Sequence, residues 1–188
     1  VKQYSENQEL VQSLLKDIPE RFEEKRTNGE NCIDVCEIIR KDSVDEFISY
    51  VTMNNNQIPI KLKPSIFETN IFLLRNDPEI IEYAAFCGSM NVLKFIQMNG
   101  VTLKPSLCMY AIHSGKIELI EYLEDQKVEL NKKMCGKYLK ESIKCHHNDI
   151  AHHFQKKYLI EQTEYINYVE SNFRYNYVAY SFQFKNIS

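Results

Sequence analysis

The stretch richest in reactive side chains is C-H-H-N-D-I-A-H-H-F, running from Cys145 to Phe154 and carrying Cys145, His146, His147, Asp149, His152 and His153. Thiolate, imidazole and carboxylate are all zinc donors, and Asp149 and His153 stand one helical turn apart, a spacing that lets both face a single ion. The spacing follows no zinc signature, however. Reading the neighbouring repeats across it puts Cys145 to Asn148 in a turn between two helices, with Asp149 opening the second. Cap and surface roles are therefore the first reading. A metal site at Cys145, His146, Asp149, His152 and His153, with or without metalloenzyme chemistry, is the alternative.

Other reactive pairs lead to bland readings. Cys108 and His113 lie five positions apart on one helix, a separation that points them in different directions and disfavours a nucleophilic dyad, so His113 is read as a solvent-facing group. Cys32 and Cys36 share a helical face but lack two further ligands nearby, which makes them small buried hydrophobes. The five glycines are scattered, so there is no phosphate-cradling loop, and neither G-x-S-x-G nor H-E-x-x-H occurs. The chain is read as non-enzymatic and without a cofactor.

The elements that position these groups come from an internal repeat. Y-A-A-F-C-G-S-M-N-V-L-K-F-I from Tyr83 superposes without gaps on Y-A-I-H-S-G-K-I-E-L-I-E-Y-L from Tyr110, so that Ala84 meets Ala111 and Gly88 meets Gly115. Each copy predicts a short helix, a break at the glycine, and a second helix with an apolar face. Glycine at the break accepts the positive φ that ends a helix tightly, and small Ala residues let paired helices approach closely. A weaker third copy has Ser142-Ile143 in place of the Ala pair and His146 in place of Gly. A degenerate first copy places Asp42 there, with Val35, Ile38 and Ile39 before it and Val44, Phe47, Ile48 and Val51 on the second helix. Units that cannot bury their apolar faces alone must stack. The fold class expected is all-α: a short solenoid of helix-turn-helix repeats over 32–154 (32–53, 78–103, 104–131 and 132–154, with an inserted segment 54–77). An N-terminal helical cap, 1–31, and a C-terminal cap or tail, 155–188, flank it.

With its A-A-F-C-G-S-M-N-V-L-K-F-I-Q-M-N-G-V from Ala84 and A-I-H-S-G-K-I-E-L-I-E-Y-L from Ala111, the chain resembles ankyrin-repeat proteins. P-S-I-F-E-T-N-I-F-L-L from Pro64, followed by I-E-Y-A-A-F-C-G-S, further resembles a divergent ankyrin-like family of unknown function greatly multiplied in parabasalid protists. The T-P-L-H opening of ankyrin repeats is absent. The offset between copies is also shorter than the ~33 residues of an ankyrin unit, which implies a shortened finger. The resemblance implies protein recognition through first-helix faces and loop tips. By register the contacts are Glu82, Phe86, Met109, His113 and Lys140 on the helices and Thr102, Lys104, Glu129 and Lys132 on the loops. Phe86 and Met109 are the expected anchors, with packing between repeats as the alternative role for each.

The remaining chain adds bounds. A formal charge of −3 gives no reason to expect nucleic acid or an anionic membrane as partner. No stretch is apolar enough to span a bilayer, and no leader pattern opens the chain. Six cysteines in helical patterns suit a reducing compartment, so a cytoplasmic location is expected. Ser65 is expected to cap a helix reaching Leu74, with Glu68 as capping-box partner, and Ser43 or Asp42 to cap the second helix of the degenerate first copy, the one carrying Val44 and Phe47. The aromatic run from Phe173 alternates like a strand. It either covers the end of the stack or, over 173–184, joins copies of the chain into a homo-oligomer.

Overall fold

The computed structural model describes residues 21–55, 57–58, 61–62, 64–128 and 134–158. The tail at 159–188, the loop contacts Glu129 and Lys132, and the first 20 residues lie outside these. Among the described residues ten helices are formed: α1 (Phe22–Asn28), α2 (Asp34–Arg40), α3 (Val44–Met53), α4 (Ile71–Asn76), α5 (Ile80–Cys87), α6 (Met90–Met98), α7 (Leu107–Ser114), α8 (Ile117–Asp125), α9 (Cys135–Lys144) and α10 (Asn148–Tyr158). Among the described residues the only extended pairing is an isolated antiparallel bridge between Lys61 and Glu79, so the fold is all-α. None of these helices is long and apolar enough to cross a membrane.

The described residues fall into two compact units, one within Val1–Glu37 and Lys63–Asp77, the other within Ile38–Leu62 and Pro78–Ser188. In the first, α1 ends at Gly29, whose left-handed backbone (φ 65°) closes the helix and whose carbonyl accepts both the Thr69 amide and its hydroxyl. Phe22 meets Phe67 edge to face. The helix expected from Ser65 starts later, at Ile71. The Ser65 hydroxyl accepts the Phe67 amide within a turn, and the Glu68 carboxylate is taken by the amides of Asn31 and Asn70. With both expected capping groups engaged elsewhere, Asn70 caps α4, accepting from Phe72 and Leu73.

The second unit is built from helical hairpins. The turns α2/α3, α5/α6, α7/α8 and α9/α10 each carry one left-handed residue: Asp42 (φ 52°), Gly88 (φ 69°), Gly115 (φ 70°) and His146 (φ 60°). All four use the same bond, an amide returning to the carbonyl three residues back (Ile39, Ala85, Ile112 and Ile143) at 2.8–3.2 Å. These are the four positions that the repeat pattern superposes. The second helices end alike too: Asn99, Gly100 and Val101 bond back to Phe95, Gln97 and Ile96, as Gln126, Lys127 and Val128 do to Tyr122, Glu124 and Leu123.

Packing follows from the buried faces. Ile80, Ile81, Ala84 and Ala85 of α5 lie against α7, where Leu107, Cys108, Ala111 and Ile112 are fully buried, and α7 in turn lies against α9. The helices α5, α7 and α9 also pack each on its own second helix, where Val92, Leu93 and Ile96 of α6, Leu119, Ile120 and Leu123 of α8, and Ile150, Ala151 and Phe154 of α10 are buried. In α3 only Phe47 and Val51 are buried, while Ile48, expected on the same face, is 40% exposed. The capping expectation for α3 is corrected as well. Ser43 stands at its N-cap but makes no cap bond, and Asp42 reaches forward to the next hairpin. Its carboxylate accepts the amides of Asn91 (3.2 Å) and Val92 (2.9 Å), capping α6, whose own N-cap Ser89 donates its buried hydroxyl to the Ile39 carbonyl.

Candidate functional site

The residues expected to meet a partner begin with α5. Glu82 occupies the third position of that helix and closes a capping box with Glu79, accepting the Glu79 amide at 2.9 Å, and its other oxygen accepts the Ser106 hydroxyl at 2.8 Å. Lys104 is ion-paired with Glu79 at 2.7 Å on the surface. Thr102 is exposed, and Met109 and Lys140 are half-buried on α7 and α9. These side chains lie on the first helices and the loop before them.

Phe86 and His113 have a different place. Arg40 donates to the Tyr83 hydroxyl at 2.7 Å, Tyr83 stacks on Phe86, and Phe86 stacks on His113 with centroids 5.6 Å apart and planes 27° from parallel. A column of side chains therefore crosses from the end of α2 over α5 to α7. His113 is not the solvent-facing group expected of it: only 15% of its side chain is exposed, because the α5 aromatic covers one face of the ring. Phe86 takes the packing role between hairpins that the sequence left open for it.

Beyond His113 the column continues into α9 and the turn after it. His113 Nε2 lies 3.2 Å from Glu141 Oε1, and His113 Nδ1 lies 3.5 Å from Cys145 Sγ. Lys144 holds the other Glu141 oxygen at 2.9 Å. Burial depresses the His113 pKa and outweighs the opposing pull of Glu141, which keeps the imidazole neutral near pH 7. Burial pushes the Cys145 thiol up to about 11, helped by the Glu141 charge and opposed by Lys144. The pair is thus a neutral imidazole beside a protonated thiol, which is poor nucleophilic machinery. Cys108, the other thiol weighed with His113, is fully buried and its pKa is raised first by burial and then by Glu124.

Compared with protein-family models, curated proteins and solved structures, the chain matches none. Its own geometry must carry the reading.

That geometry disperses the reactive stretch from Cys145 to His153. His153 turns to Glu124 of α8 at 3.2 Å, where Lys157 also binds. His146 is exposed at the left-handed turn, and Asp149 and His152 are exposed on α10. The alternative grouping of Cys145, His146, Asp149, His152 and His153 around one ion is therefore not formed among the described residues, because neighbours in sequence leave the turn and the helix in different directions. Among the described residues the three donors that do converge are His113, Glu141 and Cys145, their ligand atoms all within 4.8 Å of one another. Glu141 escaped sequence reasoning, as did the meeting of His113 with Cys145. The available signal was the repeat itself, since adjacent first helices bring together residues about one unit apart.

Proposed function

We propose that this chain is an ankyrin-like repeat module that binds a partner protein through its first-helix faces and the loops before them, without catalytic chemistry of its own. The observation that carries the reading is the fourfold recurrence of one turn geometry at Asp42, Gly88, Gly115 and His146, together with first helices packed in series. Serial hairpins of this kind build an extended surface whose long edge belongs to no single unit, a shape suited to recognition rather than to enclosing a substrate. The protonated Cys145 and neutral His113 support a non-catalytic role for the most reactive pair.

The contacts proposed are Thr102, Lys104, Met109 and Lys140. The test is affinity capture with the tagged wild-type chain beside a Lys104→Ala/Met109→Ala variant, both matched for melting temperature. Losing two contacts, one of them an anchor, should weaken one stoichiometric partner by about tenfold or more. A set of bound proteins identical for the two chains overturns the assignment of this face.

A further inference from the structure

His113 comes from α7, Glu141 from α9 and Cys145 from the turn that follows α9, so three donors of mixed hardness converge from two hairpins. Tetrahedral zinc bonded at about 2.0–2.3 Å sets nitrogen and oxygen donors about 3.3 Å apart, and sulfur and nitrogen about 3.5 Å apart. Here His113 Nε2 and Glu141 Oε1 are 3.2 Å apart, already at that spacing. Cys145 Sγ lies 4.0 Å from the same nitrogen and 3.5 Å from Nδ1, beside the ring, so a change of side-chain rotamer must swing the sulfur round to the Nε2 lone pair for the three donors to share one ion. We propose that His113, Glu141 and Cys145 form a zinc site that ties α7 to α9, with water in the fourth position.

The surroundings suit a metal site. Phe86 against the His113 ring fixes the plane in which the imidazole presents its lone pair, and Lys144 on Glu141 Oε2 holds that carboxylate so that Oε1 faces the histidine. Such supporting contacts orient the ligands and sharpen affinity. His113 and Glu141 side chains are each about 15% exposed (15% and 16%), which leaves a path for ion entry yet shields the bonds. Nitrogen, oxygen and sulfur in one set select a borderline cation; calcium and magnesium require oxygen ligands throughout. On binding, the imidazole proton moves from Nε2 to Nδ1 to free the Nε2 lone pair, the Zn–S bond forms as the thiol proton leaves to solvent, and no oxidant or reductant is needed. The site goes beyond the recognition reading and survives its failure, since it depends only on the packing of α7 with α9.

The experiment titrates reduced, metal-free protein with cobalt(II) and zinc(II) chloride. One equivalent of cobalt should give a sulfur-to-cobalt charge-transfer band, and zinc should displace it and raise the melting temperature. Cys145→Ser should abolish the band while Cys87→Ser keeps it. His113→Ala and Glu141→Gln should each weaken zinc binding by about tenfold or more. A wild-type chain without the band, or a band that persists in Cys145→Ser, overturns the site. Should Cys145→Ser fail to fold, Glu141→Gln decides: unchanged zinc affinity in that conservative variant overturns the site equally.

Discussion

Replacing Asp42 separates two contributions that meet at one residue. Its carboxylate caps α6 through the amides of Asn91 and Val92 and also accepts the Asn91 side-chain amide at 2.9 Å, while its backbone sits in the left-handed region at φ 52°. Loss of a cap costs about 1–2 kcal/mol, and Ala in a left-handed conformation adds roughly 1 kcal/mol that Gly does not. Asp42→Ala should therefore destabilise by about 2–3 kcal/mol and Asp42→Gly by about 1–2 kcal/mol, the gap of roughly 1 kcal/mol reporting the backbone alone. Glycine at Gly88 and Gly115 already shows that the same turn accepts it. Urea unfolding followed by far-ultraviolet circular dichroism, compared at equal m-values, reads both numbers. Equal losses in the two variants would remove the left-handed strain from the account. An Asp42→Ala chain within about 0.5 kcal/mol of wild type would refute the capping of one hairpin by another.

Three further predictions follow from buried positions. Ala111 is fully buried on α7, which packs against both α5 and α9, so Ala111→Phe should overpack that helix and destabilise by about 3 kcal/mol or more, seen as a lower melting temperature. Ser142 stands at the register position of Ala84 and Ala111 and donates its hydroxyl only one turn back, to the Tyr138 carbonyl; Ser142→Ala should lie within about 0.5 kcal/mol of wild type by denaturant titration. Tyr138 is buried, and that burial, with Cys108 and Cys135 nearby, pushes its phenol up to about 12 from 10. Between those values the unfolded chain gives up the proton and the folded chain keeps it, so stability present below pH 10 should be lost as pH rises towards 12. Tyr138→Phe should flatten that slope, measured as melting temperature against pH.

The parts of the fold legible in the sequence are those fixed by local requirements. A left-handed break at Gly88 and Gly115, and by register at Asp42 and His146, is a backbone demand that recurs wherever one hairpin is built, and all four positions have it. The burial of Ala84 and Ala111 is legible for the same reason, since only a small side chain fits between closely packed helices. What escaped depends on partners far along the chain. Asp42 could serve the helix beside it or one almost fifty residues on, and local pattern favours the near choice whereas packing delivers the far one. Glu68 likewise bonds to Asn31, and no spacing rule announces that contact. Ile48 belongs to an apolar stripe by periodicity, yet it is Phe47 that meets α6, edge to face on Phe95, while Ile48 stays 40% exposed. The candidate site shows the same division. Reading Cys145 to His153 as one constellation follows adjacency in sequence, while the donors that converge come from α7, from α9 and from the turn after α9.

The turns lean on one another in a definite direction. The Gly88 carbonyl accepts the Lys116 ammonium at 2.7 Å, and the His147 ring lies over Gly115, so close that a methyl group there would collide with it. A nascent chain leaving the ribosome thus exposes each of these corners before the residue that covers it has been synthesised. The α5/α6 corner waits for Lys116 and the α7/α8 corner for His147. Maturation of the array should accordingly lag translation by one hairpin, and a chain cut short before α9 would keep its last corner uncovered.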